Sequence, residues 1–383
     1  MQIANDPVFH RADLAQYFVD YIKSPDASSG LFLAAPRRTG KTTFIKEDLM
    51  PLLRDQGATV IYADLWEDKA INPSQVIVNA IRAAMSANEG LITRTAKGAG
   101  LTKFKVAGFE VDLAAIGAHD GISLARALES FALATRKAIV MVIDEAQHAQ
   151  TSEEGRQTLF ALKAARDAMK GAGSPGFRLV ATGSNSSKLA TLVNAKDQAF
   201  YMAPLEDLEL LGMDYLAWVL QMSALRQKPT LSALRQGFEM CCHRPEPLRA
   251  VLRELGRVRS DAAVAPDALD ARFLALMRQN LQAARDSFLQ GVHGMAALDA
   301  CVLRRMALLG KDFTPFDAAA LAHYRQLLEA DGSTPELPTQ SSVQSALLRL
   351  QKEGLVWNAG RGVWLIEDAQ HSEWIRASLP AQT

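Results

Sequence analysis

The sequence is poor in cysteine and contains no long apolar run. Its three cysteines, Cys241, Cys242 and Cys301, cannot build a disulfide scaffold or a four-ligand zinc site, which favours a reducing compartment. No segment approaches the roughly 18–20 apolar residues of a membrane span. The first residues lack the basic and apolar segments of a signal peptide. We therefore expect a cytoplasmic protein that makes no membrane contact.

An excess of charge of one sign is also lacking. The 42 Lys and Arg residues balance 42 Asp and Glu residues, so the formal net charge is zero, which excludes the coating of nucleic acid by bulk charge. Hydrophobic residues make up 49% of the 383 residues and charged residues 22%, which excludes a disordered chain. At roughly 100–200 residues per domain, the length predicts two or three domains.

Short apolar runs alternate with helical patterns in the first 200 residues. Alternation of this kind predicts an α/β fold with a parallel sheet that has helices on both faces. The predicted strands are Leu31–Ala35, Thr59–Ala63, Ala138–Ile143, Phe177–Ala181 and Ala199–Met202. The predicted helices are Lys41–Leu53, Pro73–Asn88, Ser123–Arg136 and Glu153–Lys170.

An insertion at residues 91–117 interrupts this core, which we place at residues 1–204. The insertion is rich in Gly, Lys and Thr, and its alternation over Lys103–Asp112 predicts a β-hairpin or a flexible flap. Four basic side chains make it a candidate for contact with a partner, although a solvated loop has the same composition. They are Arg94, Lys97, Lys103 and Lys105.

The remaining sequence predicts two further domains. Residues 205–291 have helical patterns without strand candidates, and the part from residue 225 has eleven basic against seven acidic residues. Residues 292–383 have eight basic against ten acidic residues. Three predicted helices there, Met295–Leu309, Pro315–Glu329 and Ser341–Lys352, precede two short strands within 354–366. Three helices followed by a two-stranded wing predict a winged helix-turn-helix after an all-α lid.

A phosphate-binding loop is the most specific motif. The sequence Ala-Pro-Arg-Arg-Thr-Gly-Lys-Thr follows the first strand and begins a helix. In such a loop, backbone N–H groups surround the phosphates, a lysine reaches the β/γ oxygens and a hydroxyl holds Mg²⁺. Lys41 and Thr42 match the lysine and the hydroxyl. Eight residues are expected to form the nucleotide site: Pro36, Arg37, Arg38, Thr39, Gly40, Lys41, Thr42 and Thr43.

Two adjacent acids end a second apolar strand. Asp144 and Glu145 follow Ala138–Ile143 about one hundred residues after the loop. Asp144 is expected to hold Mg²⁺ with Thr42, and Glu145 to polarise the water that attacks the γ-phosphate. Paired acids at the end of a strand also serve as helix caps, so the prediction depends on their combination with the phosphate loop.

A third strand, Phe177–Ala181, runs into the polar residues Thr182, Ser184 and Asn185. A hydroxyl or an amide here could lie between the Mg²⁺ site and the attacking water. Ser184 and Asn185 could instead cap the helix that begins near Ser187.

Together these motifs resemble the AAA+ class of P-loop ATPases. The closer resemblance is to STAND-like and transposition ATPases and to archaeal replication initiators of the origin-recognition type, in which a winged helix often follows the lid. The resemblance implies binding of ATP and Mg²⁺, self-association in the ATP state, and a first sensor at Ser184 or Asn185. It also implies a second-sensor arginine in the lid, for which Arg244 and Arg249 are candidates.

One departure concerns the arginine that neighbouring subunits of AAA+ rings contribute. The interval Ser186–Gln198 contains no arginine, and Lys188 or Lys196 could supply the charge. A lysine lacks the planar guanidinium fork, so the sequence favours a slow ATPase that acts as a switch. A subunit that does not hydrolyse ATP is a further alternative.

We expect the partner to be DNA or a protein, bound through the lid and the flap. The third helix of the winged helix offers only Arg349 and Lys352 as bases, and its domain is acidic, which favours packing or protein contact there. The alternative function is therefore a signalling ATPase that binds a protein through its winged helix without binding DNA.

Overall fold

The computed structural model describes residues 7–68, 71–88, 93–94, 103–106, 109–112, 116, 123–171, 173–184, 186–257, 265–330, 338–360 and 362–379. The chain divides into two compact units, Met1–Trp218 and Val219–Thr383. The sequence predicts three domains, with boundaries at residues 204/205 and 291/292. The division into two units does not test these boundaries, so they remain predictions. Among the described residues, no helix has the length and apolar character needed to cross a membrane.

The first unit is built on a five-stranded parallel sheet. Its strands are β1 (Leu31–Ala34), β2 (Thr59–Asp64), β6 (Ile139–Asp144), β7 (Phe177–Gly183) and β8 (Leu205–Asp207), in the order β2-β6-β7-β1-β8. Central strand β6 is buried along its whole length, as expected for a strand covered on both faces. Because the strands are parallel, the carboxyl ends of β2, β6 and β7 lie side by side.

Helices cover both faces of this sheet, as predicted. The helices of the first unit are α1 (Ala12–Lys23), α2 (Lys41–Phe44), α3 (Met50–Asp55), α4 (Pro73–Ala87), α5 (Leu124–Thr135), α6 (Glu153–Ala168), α7 (Ser186–Asn194) and the start of α8 (Met213–Met222). The buried side chains of α1, α2 and α3 pack on one face of the sheet, and those of α4, α5, α6 and α7 pack on the other face. A π-helical turn, Ile45–Leu49, joins α2 to α3 without a break.

The prediction of a strand at Ala199–Met202 is wrong. This segment forms turns, and the fifth strand is β8, three residues after it, where no strand was expected. Ala199 and Phe200 are buried, so the apolar run reflects packing of a turn on the core rather than pairing in the sheet. Strand β8 pairs only with β1, and a short edge strand has little apolar pattern to reveal it.

The described part of the insertion is a small antiparallel sheet. It comprises β3 (Thr93–Arg94), β4 (Lys103–Val106) and β5 (Phe109–Asp112) in the order β3-β4-β5. Lys97 lies outside the described residues. Hairpin pairing runs from Lys103 opposite Asp112 to Val106 opposite Phe109.

The second unit begins with three helices, α9 (Leu231–Met240), α10 (Pro245–Arg257) and α11 (Pro266–His293). Gly237 of α9 lies against α11, because a Cβ atom there would come within 2.7 Å of the Phe273 ring. Cys241 is buried at the end of α9, whereas Cys242 is exposed. Burial raises the pKa of the Cys241 thiol to about 11.

In the rest of the second unit, the helices and strands follow one another in the order expected for a winged helix. Helices α12 (Ala297–Leu309), α13 (Ala318–Ala330) and α14 (Gln340–Lys352) precede the antiparallel strands β9 (Val356–Gly360) and β10 (Val363–Ile366). Trp364 of the wing is buried in the shared core. A last helix, α15 (Ala369–Ser378), packs on α12 and was not predicted.

Candidate functional site

The phosphate-loop sequence forms a tight turn between β1 and α2. Gly40 has φ 91° and Arg38 has φ 63°, so the backbone enters the left-handed region twice. The hydroxyl of Thr39 donates to the carbonyl of Pro36 at 2.7 Å and closes the turn. Helix α2 then begins at Lys41, and the first amide groups of a helix have no intrahelical acceptor. The loop therefore presents backbone donors at a helix N-terminus, the arrangement that binds phosphate.

Lys41 lies at the centre of the site, with its side chain 6% exposed. Its Nζ donates to Asp144 Oδ1, to Glu145 Oε1 at 3.0 Å and to Thr182 Oγ1 at 3.1 Å. Three elements therefore converge on one ammonium group: the start of α2, the end of β6 and the end of β7. The structure therefore brings the loop lysine and the two acids together, and the roles expected of them remain predictions.

Asp144 ends β6 and is almost fully buried. Its Oδ2 accepts a hydrogen bond from the Thr42 hydroxyl at 2.8 Å, and its Oδ1 accepts from Lys41 and Thr182. Burial by itself raises the pKa of Asp144, but the Lys41 charge and these three donors hold the pKa below its usual value. Asp144 is therefore an anion beside the Thr42 hydroxyl.

Glu145 follows in the left-handed conformation, with φ 54°. This backbone turns the carboxylate towards β7, where its Oε2 accepts from Ser184 Oγ at 2.8 Å and from Ser184 N at 3.2 Å. Gln147 Nε2 donates to the same oxygen at 2.6 Å. Burial raises the pKa of Glu145, but Lys41, Gln147 and Ser184 lower it by more than burial raises it. The folded-state pKa therefore lies below its usual value.

Arg37 connects the phosphate loop with the end of β7. Its Nε donates to Ser184 Oγ at 3.2 Å, and its guanidinium lies over the Trp66 ring, 4.6 Å from the centroid. Trp66 in turn lies against His148, with ring centroids 4.3 Å apart. Pro36, Arg38 and Thr43 are exposed around this centre.

The sensor candidates are distributed between the two units. Ser184 lies in the site, whereas Asn185 lies outside the described residues. Arg244 belongs to the second unit, where it pairs with Asp368 at 2.9 Å and donates to Gln370 at 2.6 Å. Arg249, on α10, is half-buried.

The two lysines considered in place of a ring arginine differ in exposure. Lys188 of α7 is fully buried, so it cannot reach a neighbouring subunit from this position. Lys196, in the turn after α7, is exposed and remains the available candidate of the two.

Two residues of the site were not assigned to it from the sequence: Tyr62 and Gln147. Tyr62 lies on β2, and Gln147 lies in the 3₁₀ turn Ala146–Thr151. Tyr62 contacts Asp144, and Gln147 contacts Glu145. Their common signal is position, because each lies at or just beyond the carboxyl end of one of two adjacent strands. Thr182, one of the polar residues noted at the end of β7, also contacts Asp144.

The donor set fits a phosphate and a hard divalent cation. Mg²⁺ prefers oxygen ligands, is held by one or two protein groups and keeps several waters. Thr42 Oγ1 and Asp144 Oδ2 provide two such oxygens 2.8 Å apart. Among the described residues, no group of three or more His, Cys, Asp and Glu side chains could hold a metal ion by itself, so Mg²⁺ here would depend on the nucleotide and on water for its other ligands.

Two of the solved structures with a similar fold are a Walker-type ATPase and an ORC2 protein. The Walker-type ATPase of Pyrococcus abyssi is 15% identical over 96% of this chain and 96% of that chain, with a TM-score of 0.52. The ORC2 protein of Aeropyrum pernix, in its ADP form, is 14% identical over 96% of this chain and 93% of that chain, with a TM-score of 0.51. No family model and no curated protein sequence matches the chain. These likenesses show the fold, and at that level they confirm the predicted α/β class with its parallel sheet and the resemblance in fold to an origin-recognition protein.

Proposed function

We propose that the protein binds Mg²⁺–ATP, hydrolyses it slowly, and self-associates in the ATP state to engage DNA or a partner protein. The observation that carries the proposal is the convergence of Lys41, Thr42, Asp144, Glu145 and Thr182 at the mouth of a phosphate-type loop. Both similar structures are named as an ATPase or as an ADP form, which agrees with a nucleotide ligand.

Each residue has a role that follows from its position. The backbone of Pro36–Gly40 and the N–H groups of Lys41, Thr42 and Thr43 would bind the phosphates, and the Lys41 ammonium would turn to their oxygens. Thr42 and Asp144 would hold Mg²⁺. When bound, this ion neutralises phosphate charge and orients the triphosphate.

Glu145 would orient the attacking water and accept its proton. Its carboxylate is ionised and is held by Ser184 and Gln147, so these two side chains fix the direction in which it can accept. Ser184 would act as the first sensor, with Asn185 as the alternative, and Arg37 supports Ser184 from the loop. Arg249 or Arg244 would supply the second sensor.

Binding of DNA through the lid is supported by α10. Arg249, Arg253 and Arg257 recur every four residues, so they lie along one side of the helix. Leu248, Val251, Leu252 and Leu255 are buried on the other side. Arg253 and Arg257 are exposed, as a surface that neutralises phosphate charge requires.

The alternative is a signalling ATPase that binds a protein through the winged helix. Arg349, one of two bases on α14, donates to both oxygens of Asp299 on α12, at 2.9 and 2.6 Å. Because the Arg349 guanidinium is paired with Asp299, α14 has less positive charge available to contact DNA phosphates. Leu348 beside it is 52% exposed, which suits an apolar protein contact better.

The test compares ATP turnover and ATP binding in Glu145→Gln. Replacement of the carboxylate should retain ATP binding and lower turnover by about 10²–10⁴-fold, the usual contribution of a general base. Glu47→Gln is the matched control, since Glu47 is exposed on the π turn and should leave turnover unchanged. Unchanged turnover in Glu145→Gln would refute the hydrolysis part of the proposal.

A further inference from the structure

Tyr62 and Asp64 lie beside the site on β2. They are two residues apart, so they project from the same face of the strand, and both are half-buried. Ile61 and Ala63 point to the opposite face and are buried in the core there. Asp64 is the register partner of Asp144 on β6, so the carboxyl ends of two neighbouring strands place two acids next to each other.

The Tyr62 hydroxyl lies between these acids. It is 3.3 Å from Asp144 Oδ2 and 3.3 Å from Asp64 Oδ2. A phenol has one proton, so at any moment it can donate to only one of the two carboxylates. The Oδ2 atoms of Asp64 and Asp144 are therefore at most twice 3.3 Å apart, and they share the single proton of the Tyr62 hydroxyl.

Both side chains are fixed by further contacts. Asp64 Oδ1 accepts a hydrogen bond from the Trp66 amide at 3.0 Å, which orients its Oδ2 towards Tyr62. The Lys46 ammonium, from the π turn after α2, lies 4.8 Å from the centroid of the Tyr62 ring. Asp144 Oδ2 is also the oxygen that accepts from Thr42, so Tyr62 and Thr42 hold the same oxygen.

The charges around this group favour a cation. Asp64, Asp144 and Glu145 bring three carboxylates, against which the nearby ammonium groups are Lys41 and Lys46. If Lys41 turns to a phosphate, as the proposed function requires, Asp144 loses its nearest positive charge. A divalent cation beside Thr42 and Asp144 would restore it, and its water ligands need acceptors.

We infer that Asp64 and Tyr62 belong to the metal site: Tyr62 holds the metal-binding oxygen of Asp144, and Asp64 accepts hydrogen bonds from metal-bound water. This inference rests on the proposed function. Groups that orient metal ligands or bind their water change metal affinity by about 10–100-fold when removed. The two residues are therefore positioning residues that set how much Mg²⁺ the nucleotide complex requires.

The experiment titrates Mg²⁺ against binding of a fluorescent ATP analogue. Asp64→Asn keeps the shape and removes the charge, and Tyr62→Phe removes only the hydroxyl. Each should raise the Mg²⁺ concentration for half-maximal binding by about tenfold. Binding of the analogue in EDTA should stay unchanged, because neither residue is expected to contact the phosphates.

Matched controls come from the same unit. Asp55→Asn, at the exposed end of α3, and Tyr17→Phe, on α1 with a 55% exposed side chain, should leave the Mg²⁺ requirement unchanged. The melting temperature in EDTA separates a folding defect from a metal effect.

The outcomes distinguish this inference from the proposed function. Normal analogue binding with an unchanged Mg²⁺ requirement in both Asp64→Asn and Tyr62→Phe would overturn the inference alone. Equal weakening of binding in EDTA and in Mg²⁺ would also overturn it, since the two residues would then act on the fold. Failure of the unaltered chain to bind the analogue would overturn both.

Discussion

Gly183 is a residue whose lack of a side chain the site requires. A Cβ atom there would come within 2.6 Å of Gln147 Oε1, and Gln147 Nε2 holds the Glu145 carboxylate. We expect Gly183→Ala to displace the Gln147 amide and to reduce turnover, with a loss of no more than about 1 kcal/mol in the free energy of unfolding, because the amide ends a flexible side chain that can move. Urea denaturation and an ATPase assay measure these effects.

Gly171→Ala is the control for that substitution. A Cβ atom at Gly171 would meet nothing within 4 Å, so the change should stay within about 0.5 kcal/mol of the original stability. Equal stability and turnover in Gly183→Ala and the unaltered chain would show that Gln147 adapts without cost and would contradict its role in holding Glu145.

Site residues that belong to a sequence motif could be predicted, whereas residues that reach the site only because two strands are neighbours could not. Lys41, Thr42, Asp144 and Glu145 belong to motifs with fixed spacing and stand together in the structure. Tyr62, which was not predicted, reaches Asp144 because β2 pairs with β6. Periodicity reveals which residues face the core, but it does not reveal which strands are neighbours.

At the scale of elements, Asp368 connects two helices of the second unit. Its side chain accepts from the Gln370 amide at the start of α15 and pairs with Arg244 at the start of α10. Burial raises the pKa of Asp368, but Arg244 and the amide lower it more, so the folded-state pKa lies below the usual value. The stabilisation is thus present above about pH 4 and is lost as the pH falls through the folded-state pKa.

Asp368→Asn tests this connection. Asparagine can still cap α15, but it cannot form the ion pair with Arg244. We therefore expect the free energy of unfolding to fall by about 1.5–3 kcal/mol. Urea denaturation between pH 7 and pH 3 should show a shallower pH dependence in the variant than in the unaltered chain. Asp312→Asn, at an exposed position, should retain the original dependence. Identical pH profiles for Asp368→Asn and the unaltered chain would contradict the account.

Elements with a clear period were predicted more successfully than those set by tertiary contacts. Strands β1, β2, β6 and β7 and the helices between them match their apolar patterns. Strand β8 has the sequence Leu-Glu-Asp and pairs only with β1, so no alternation reveals it. Helix α15 has one buried residue, Ile375, which is too weak a pattern to predict a helix.

At the scale of the whole molecule, the zero net charge combines a basic stretch, residues 225–291, with an acidic winged-helix sequence. If DNA is the partner, Arg253→Ala and Arg257→Ala should each weaken duplex binding, and the slope of log affinity against log salt should fall by about 0.9 per lost phosphate contact. Arg235→Ala on α9 is the control, because Arg235 already pairs with Glu239. Binding that is insensitive to salt and to all three changes would favour a protein partner.

Self-association is the second prediction at this scale. Size-exclusion chromatography with light scattering should give a larger species in ATP than in ADP or without nucleotide. Glu145→Gln should accumulate that species, since it is expected to bind ATP without hydrolysing it. A mass that is the same under all three conditions would contradict the switch.

Nucleotide binding by the phosphate loop is the central claim, and equilibrium binding of Mg²⁺–ATP tests it most directly. The unaltered chain and Lys137→Ala, changed at an exposed position, should bind alike. Lys41→Ala should lose at least about tenfold in affinity, because charged hydrogen bonds contribute about 1.5–3 kcal/mol. Thermal unfolding confirms that each variant is folded. Equal affinity of folded Lys41→Ala and the unaltered chain, or no binding by either, would contradict the account.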